Sequence, residues 1–235
     1  MRAVILAGGL GTRLRPYTVV LPKPLMPIGE YPILEVILRQ LSYHGFKHIT
    51  LAVNHQAEII QSFFNSGTKW GVKIDYSLEK SPLGTMGPLK LIDDLPENFL
   101  IMNGDILTDL NFRDFFDHHV ENGNVFTVAS FMRTVKTDYG VLSTNEINHI
   151  TTFQEKPAFS FNVSMGIYMA NRRILDLIPP NKVYGFDNLM LDLLKEKIPA
   201  NVKPFDGYWL DIGRPDDYIQ AIDEFEVKKQ VFLRA

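Results

Sequence analysis

Cysteine is absent from the 235 residues, which excludes disulfides, thiol catalysis, iron–sulfur clusters and Cys-based zinc sites. An excess of either charge is absent too. The 24 Lys and Arg stand against 27 Asp and Glu, a formal net charge of −3. Such a balance does not suit a duplex-nucleic-acid binder or a protein that coats anionic membrane. No uninterrupted apolar run approaches the ~20 residues of a membrane span. The apolar stretch at residues 1–7 (MRAVILA) is too short for a signal peptide and runs directly into glycines. The chain is therefore expected to be cytoplasmic, with neither nucleic acid nor membrane among its partners. What remains is 46% apolar and 22% charged, the make-up of a globular domain long enough to bury its own core.

Hydrophobic periodicity alternates from the start. Residues 3–7 form a short continuous apolar run, as a strand buried on both faces would. Residues 33–44 carry apolar side chains at helical spacing, and 48–54 read as a second strand. A helix over 57–65, a strand over 72–77, a helix over 84–92 and a strand over 99–102 follow. Regular β-α-β order implies a parallel sheet with right-handed crossovers, covered on both faces. Beyond about residue 125 strands crowd together, at 125–131, 140–143, 147–154 and 163–169, with a hairpin turn near Asn145. Helices are expected again at 171–177, 188–197 and from Pro215 to about Lys228. The pattern predicts one α/β domain with a mixed, mainly parallel sheet. Residues 1–110 would form a nucleotide-binding half and 111–235 a more irregular half. The helically spaced Phe112, Phe115 and Phe116 read as core, and the six scattered histidines as structural or surface residues.

The strongest local signal is Leu6-Ala7-Gly8-Gly9-Leu10-Gly11-Thr12-Arg13-Leu14, directly after a buried strand. Ligands of open parallel sheets bind at strand carboxyl ends, where such loops sit. Glycines let main-chain N–H groups approach phosphate oxygens, and Arg13 and Lys23 add fixed positive charge. A P-loop would need Gly-Lys-Ser/Thr, and a dinucleotide fingerprint a third glycine where Leu14 stands. The plainer alternative is a tight turn without a ligand, which would not call for an adjacent arginine.

LAGGLGTRLRP followed by PKPLMPI resembles the signature of the sugar-1-phosphate nucleotidylyltransferases, or nucleotide-sugar pyrophosphorylases. The resemblance continues in order through Glu79-x-x-Pro82-Leu83-Gly84-Thr85, Asn103-Gly104-Asp105, Glu155-Lys156-Pro157, Gly166-Ile167-Tyr168 and Trp209-Leu210-Asp211-Ile212-Gly213. It implies a Rossmann-like three-layer sandwich. The implied reaction is attack of a sugar 1-phosphate on the α-phosphorus of a nucleoside triphosphate, releasing pyrophosphate. Because the nucleophile is already anionic, such a site needs cations, main-chain donors and a divalent metal more than a general base.

Carried over residue by residue, the resemblance implies Arg13, Lys23 and Asp105 as catalytic residues and Asp105 and Asp211 as ligands of Mg2+. Leu6, Ala7, Gly8, Gly9, Gly11, Thr12, Arg13, Glu79, Pro82, Gly84, Thr85, Asn103 and Gly104 would bind the nucleotide. Tyr139, Gly140, Glu155, Lys156, Ser164 and Gly166 would bind the sugar phosphate. Glu79 favours GTP, since a carboxylate only accepts and guanine offers two adjacent donors. PLGTMGPL also resembles PLGTAGPL of mannose-1-phosphate guanylyltransferases. UTP or dTTP, and a silent nucleotide-sugar-binding paralogue, are the alternatives, and a nicotinamide oxidoreductase is disfavoured by the missing third glycine. Two departures stand out. Met86 replaces the usual alanine and is expected to thicken a wall of the base pocket. Ser164 replaces the usual asparagine at the sugar, and its shorter hydroxyl leaves room for an altered hexose or a heptose beside the mannose-like sugar that the guanylyltransferase resemblance implies. No β-helix repeats follow Trp209, and a homo-oligomer remains open.

Overall fold

The computed structural model describes residues 1–233. A seven-stranded sheet runs in the order β12-β8-β11-β6-β1-β4-β5. Its parallel part is β6 (Asn98–Asn103), β1 (Arg2–Leu6), β4 (His48–Val53) and β5 (Lys73–Leu78). β11 (Ala158–Asn171) is antiparallel to both β6 and β8 (Phe126–Lys136), and β12 (Ala200–Phe205) is parallel to β8. The expected mixed, mainly parallel α/β sheet is therefore present.

β1 sits at the centre because its side chains alternate between two apolar faces. Ala3 and Ile5 join a core with α1 (Ile33–Tyr43), α2 (Ala57–Phe64), α3 (Phe112–Glu121) and α5 (Pro215–Leu233). Val4 joins a second core with Leu89, Phe99 and α4 (Phe186–Lys195). Phe112 and Phe115 are fully buried, and His119 is held in the core by Thr127 at 2.8 Å. Among the described residues no helix is long and apolar enough to cross a membrane.

Three small ribbons complete the fold. β2 (Pro27–Ile28) pairs with β3 (Tyr31–Pro32), β7 (Ile106–Thr108) with β13 (Trp209–Asp211), and β9 (Val141–Thr144) with β10 (Ile150–Gln154). The β9–β10 hairpin turns on Asn145, whose side chain accepts from the N–H groups of Ile147 and His149. Together with the exposed outer halves of β8 and β11 it forms an arm projecting from the sheet.

Two expected helices differ. The 84–92 segment is a 3-10 helix over Gly87–Leu91 only, because Pro88 cannot donate and the preceding residues are tied to another chain segment. The 171–177 segment is likewise 3-10, over Arg172–Leu177.

Candidate active site

The site lies at the carboxyl ends of β1, β6 and β5. The Ala7 N–H continues the ladder by donating to Ala52 at 2.8 Å, and the chain then leaves the sheet through the glycines. Gly8 is required by close approach: a Cβ there would lie 2.9 Å from Oε1 of Glu79 and 3.2 Å from Asn54. Past Gly11 a single 3-10 turn, Thr12–Leu14, buries Leu14 and leaves Arg13 exposed. The Thr18 hydroxyl pins this turn by donating to the Gly11 carbonyl at 2.7 Å.

Lys23 is held between the buried Pro22 and Pro24, and its ammonium pairs with Oδ2 of Asp105. Asp105 stands where β6 passes into β7. β13 lies beside β7 with Asp211 opposite Ile106, and the Ile212 N–H donates to the Asp105 carbonyl at 3.0 Å. A two-strand ribbon thus brings together two aspartates from distant parts of the chain. Burial, and next the negative charge of Asp105, push the Asp211 carboxyl above its ordinary range; Lys23 and Arg13 oppose the shift. Oδ1 of Asp105 is buried with no hydrogen-bond partner.

These observations fit a hard dication. An orphaned carboxylate oxygen and a carboxylate resisting ionisation beside it are groups that a dication would satisfy. Among the described residues no cluster of three or more His, Cys, Asp or Glu could hold a metal. Magnesium needs only one or two carboxylates when phosphate oxygens and water supply the rest.

Glu79 follows β5 and is buried, which raises its carboxyl pKa despite the Leu83 N–H donating to Oε2 at 3.0 Å. The segment behind it is stitched to residues 184–186. Met86 and Gly87 N–H groups donate to the Tyr184 carbonyl at 3.0 and 2.9 Å, and Phe186 N–H donates to the Thr85 hydroxyl at 2.7 Å. Gly84 has φ +80°, and a Cβ there would meet the Tyr184 carbonyl oxygen at 2.8 Å. One cavity of about 340 Å³ gathers Leu6, Gly8, Gly9, Glu79, Pro82, Gly84, Thr85, Asn103 and Asp105. Ala7 and Gly104 border a smaller hollow with Lys23 and Asp105. Gly11 and Thr12 lie in the turn itself and line neither cavity. Met86 is fully buried in the second core with Leu89, so it thickens no wall of this cavity, contrary to expectation.

A second cavity, of about 430 Å³, borders Asp211 on the other side. Arg13, Phe131, Arg133, Trp209, Gly213 and Arg214 line it. The Arg13 guanidinium lies flat against Gly213, 3.4 Å from where a Cβ would stand. Sequence reasoning left out Arg133 and Arg214. The alternation of β8, which puts Phe131 and Arg133 on one face, was the available signal for Arg133.

The expected sugar-side residues divide. Gly166 abuts Asn103, which lines the first cavity, and the Gly166 N–H donates to the Ser164 hydroxyl at 3.2 Å, which in turn donates to the Tyr168 hydroxyl at 3.2 Å. Tyr139, Gly140, Glu155 and Lys156 lie on the arm, all exposed. Gly140 is close to Phe153 and Glu155, but the four line neither cavity.

A family model described as nucleotidyl transferase matches residues 2–228. The chain belongs to the nucleotidyl transferase family. It is 36% identical to a UTP–glucose-1-phosphate uridylyltransferase of Synechocystis sp., over 94% of this chain and 62% of that protein. It is 34% identical to a mannose-1-phosphate guanyltransferase of Candida albicans, over 94% of this chain and 63% of the relative. The chain thus spans less than two thirds of the length of these relatives. Among solved structures it resembles HddC from Yersinia pseudotuberculosis complexed with GMP-PN. There the TM-score is 0.72 and the identity 27%, over 95% of this chain and 99% of that one. The fold is shared with a Bacillus anthracis protein solved with sucrose, at TM-score 0.77 and 23% identity, over 95% and 94% of the two chains.

Proposed function

We propose that the protein transfers a nucleoside monophosphate from GTP to a mannose- or heptose-like sugar 1-phosphate, giving a nucleoside-diphosphate sugar and pyrophosphate. The observation that carries this reading is the unpartnered Oδ1 of Asp105, set beside Asp211 and Lys23 at the mouth of the glycine turn. Structural packing alone gives no reason to bury a carboxylate oxygen unpaired, at a cost of about 1–3 kcal/mol.

In this reading the base enters the first cavity between the Gly8 main chain and Glu79. Glu79 keeps one oxygen on the Leu83 N–H and turns the other toward the guanine donors. The turn at Gly9, Gly11 and Thr12 offers main-chain N–H groups to the phosphates. Asp105 and Asp211 would hold Mg2+, which when bound draws charge from the reacting phosphoryl oxygens. Lys23 pairs with Asp105 and sits within reach of phosphate. Arg13 stabilises the charge that develops on the leaving pyrophosphate. The sugar 1-phosphate approaches from the arm side. Glu155 accepts from sugar hydroxyls, Lys156 pairs with the phosphate, the Tyr139-Gly140 main chain borders the ring, and Ser164 and Gly166 close its inner edge. Residues 1–110 therefore carry the nucleotide half and 111–235 the sugar half, with Asp211 returning to the junction.

Support for guanine comes from the chemistry of Glu79 and from a solved relative that holds GMP-PN. The Synechocystis uridylyltransferase is the specific counterweight, and makes UTP the second reading. The test is pyrophosphate release from GTP, UTP, ATP, CTP and dTTP, each with a panel of hexose and heptose 1-phosphates. Highest kcat/KM with GTP and a manno-configured sugar supports the proposal. A UTP or dTTP preference replaces the guanine assignment, and no release with any pair removes the reaction.

A further inference from the structure

The second cavity collects more positive charge than the resemblance calls for. Phe131 packs ring to ring on Trp209 at 5.5 Å, and Arg133 shares the Phe131 face of β8. Arg214 enters from the turn before α5, and Arg13 from the glycine loop. Among the described residues neither the Arg133 nor the Arg214 side chain has an ion-pair or hydrogen-bond partner, and Arg13 acts on Asp211 only through space. Two carboxylates share the cavity. Asp217 accepts from the Gly213 N–H at 3.2 Å, and Asp211 faces Asp105. Three permanent cations, two of them unpaired, thus converge on a polar hollow walled by two aromatic rings.

We propose that Arg133 and Arg214, together with Arg13, receive the pyrophosphate end of the bound triphosphate and hold the pyrophosphate released from it. The inference rests on the transfer reaction proposed above and adds two residues to it. Asp105 borders the first cavity and Asp211 the second, so the carboxylate pair stands between them. A triphosphate with its base beside Glu79 and its α-phosphorus at that pair has its last two phosphates on the Arg13 side. In the reaction an oxygen of the sugar phosphate bonds to the α-phosphorus. The bond from that phosphorus to the bridging oxygen breaks, and its electron pair leaves on pyrophosphate. Guanidinium forks match the paired oxygens of that anion, and the packed rings of Phe131 and Trp209 give the hollow an apolar wall.

Arg133→Gln and Arg214→Gln, singly and together, test this in the full chain. Both side chains are exposed, so both variants should fold. In the reverse direction, KM for pyrophosphate should rise about tenfold for each single variant and about a hundredfold for the pair, while in the forward direction KM for sugar 1-phosphate stays within about twofold of wild type. Calorimetric titration of inorganic pyrophosphate with magnesium should show the same loss of affinity without any turnover. Unchanged pyrophosphate affinity overturns the proposal. So does a rise confined to the sugar 1-phosphate KM, which would assign the arginines to the sugar side. Arginine-dependent pyrophosphate binding by a chain that makes no nucleotide sugar would instead remove the transfer reaction and leave the anion site standing.

Discussion

Replacing Asp211 with asparagine should make the metal-free protein more stable and the metal-bound protein less so. Burial and the adjacent Asp105 both disfavour the charged form of Asp211, while Lys23, engaged with Asp105, and Arg13 offset only part of that cost. The neutral isostere removes the penalty at constant shape, a gain of about 1 kcal/mol. For a domain of this size that raises Tm by about 2–4 °C in EDTA. The sign with pH follows from linkage. A carboxyl whose pKa is raised on folding binds extra protons in the native state, so stability falls as pH climbs from the ordinary carboxylate value through the raised one, and is flat above. The variant should lack that fall. With magnesium or manganese at about 100 times its Kd, wild type gains about 2.7 kcal/mol. The variant, with one carboxylate left, should lose most of that gain. Differential scanning fluorimetry with and without metal, from pH 4 to 8 on the order of half a unit apart, reads all three effects. A lower Tm in EDTA, or a metal-induced shift equal to wild type, refutes the reasoning.

Glu79→Gln keeps an acceptor for the Leu83 N–H but loses the charge facing guanine. kcat/KM with GTP should fall about 10- to 100-fold relative to UTP, and an unaltered base preference would remove the argument for guanine. Arg13→Ala should lower turnover about 10²–10³-fold with little change in sugar 1-phosphate KM; the opposite pattern moves Arg13 to the sugar side. Gly84→Ala combines a strained positive φ with a contact on the Tyr184 carbonyl. It should cost about 1–3 kcal/mol by chemical denaturation, and a neutral result would mean that the 79–87 segment does not need this turn.

The longer elements of the first eighty residues were legible because each is amphipathic or buried at a clear period. Residues 33–44 became α1 and 48–54 became β4, each shifted by one residue at its end. Legibility failed where a short element depends on a distant partner. β7 and β13 have three residues each, too few for a period, and only their mutual pairing makes them strands. Asp211 was therefore found through resemblance, not pattern. No strand was expected over β12, where Lys203 and Pro204 interrupt any apolar period, although proline is tolerated on an edge strand. β8 and β11 ran well beyond their expected ends because their outer halves pair with each other away from any core, where apolar alternation is not required. Met86 was misplaced for a related reason: spacing alone does not tell a pocket wall from the core behind it.

The convergence of the glycine turn with Asp105 and Asp211 on one reaction site is tested most directly by phosphorus NMR of wild type and Asp105→Asn, each with GTP, mannose 1-phosphate and magnesium. The account predicts a diphosphate-sugar pair of resonances and pyrophosphate from wild type, and neither from a variant whose circular dichroism is unchanged. An Asp105→Asn protein that forms product at the wild-type rate would contradict it.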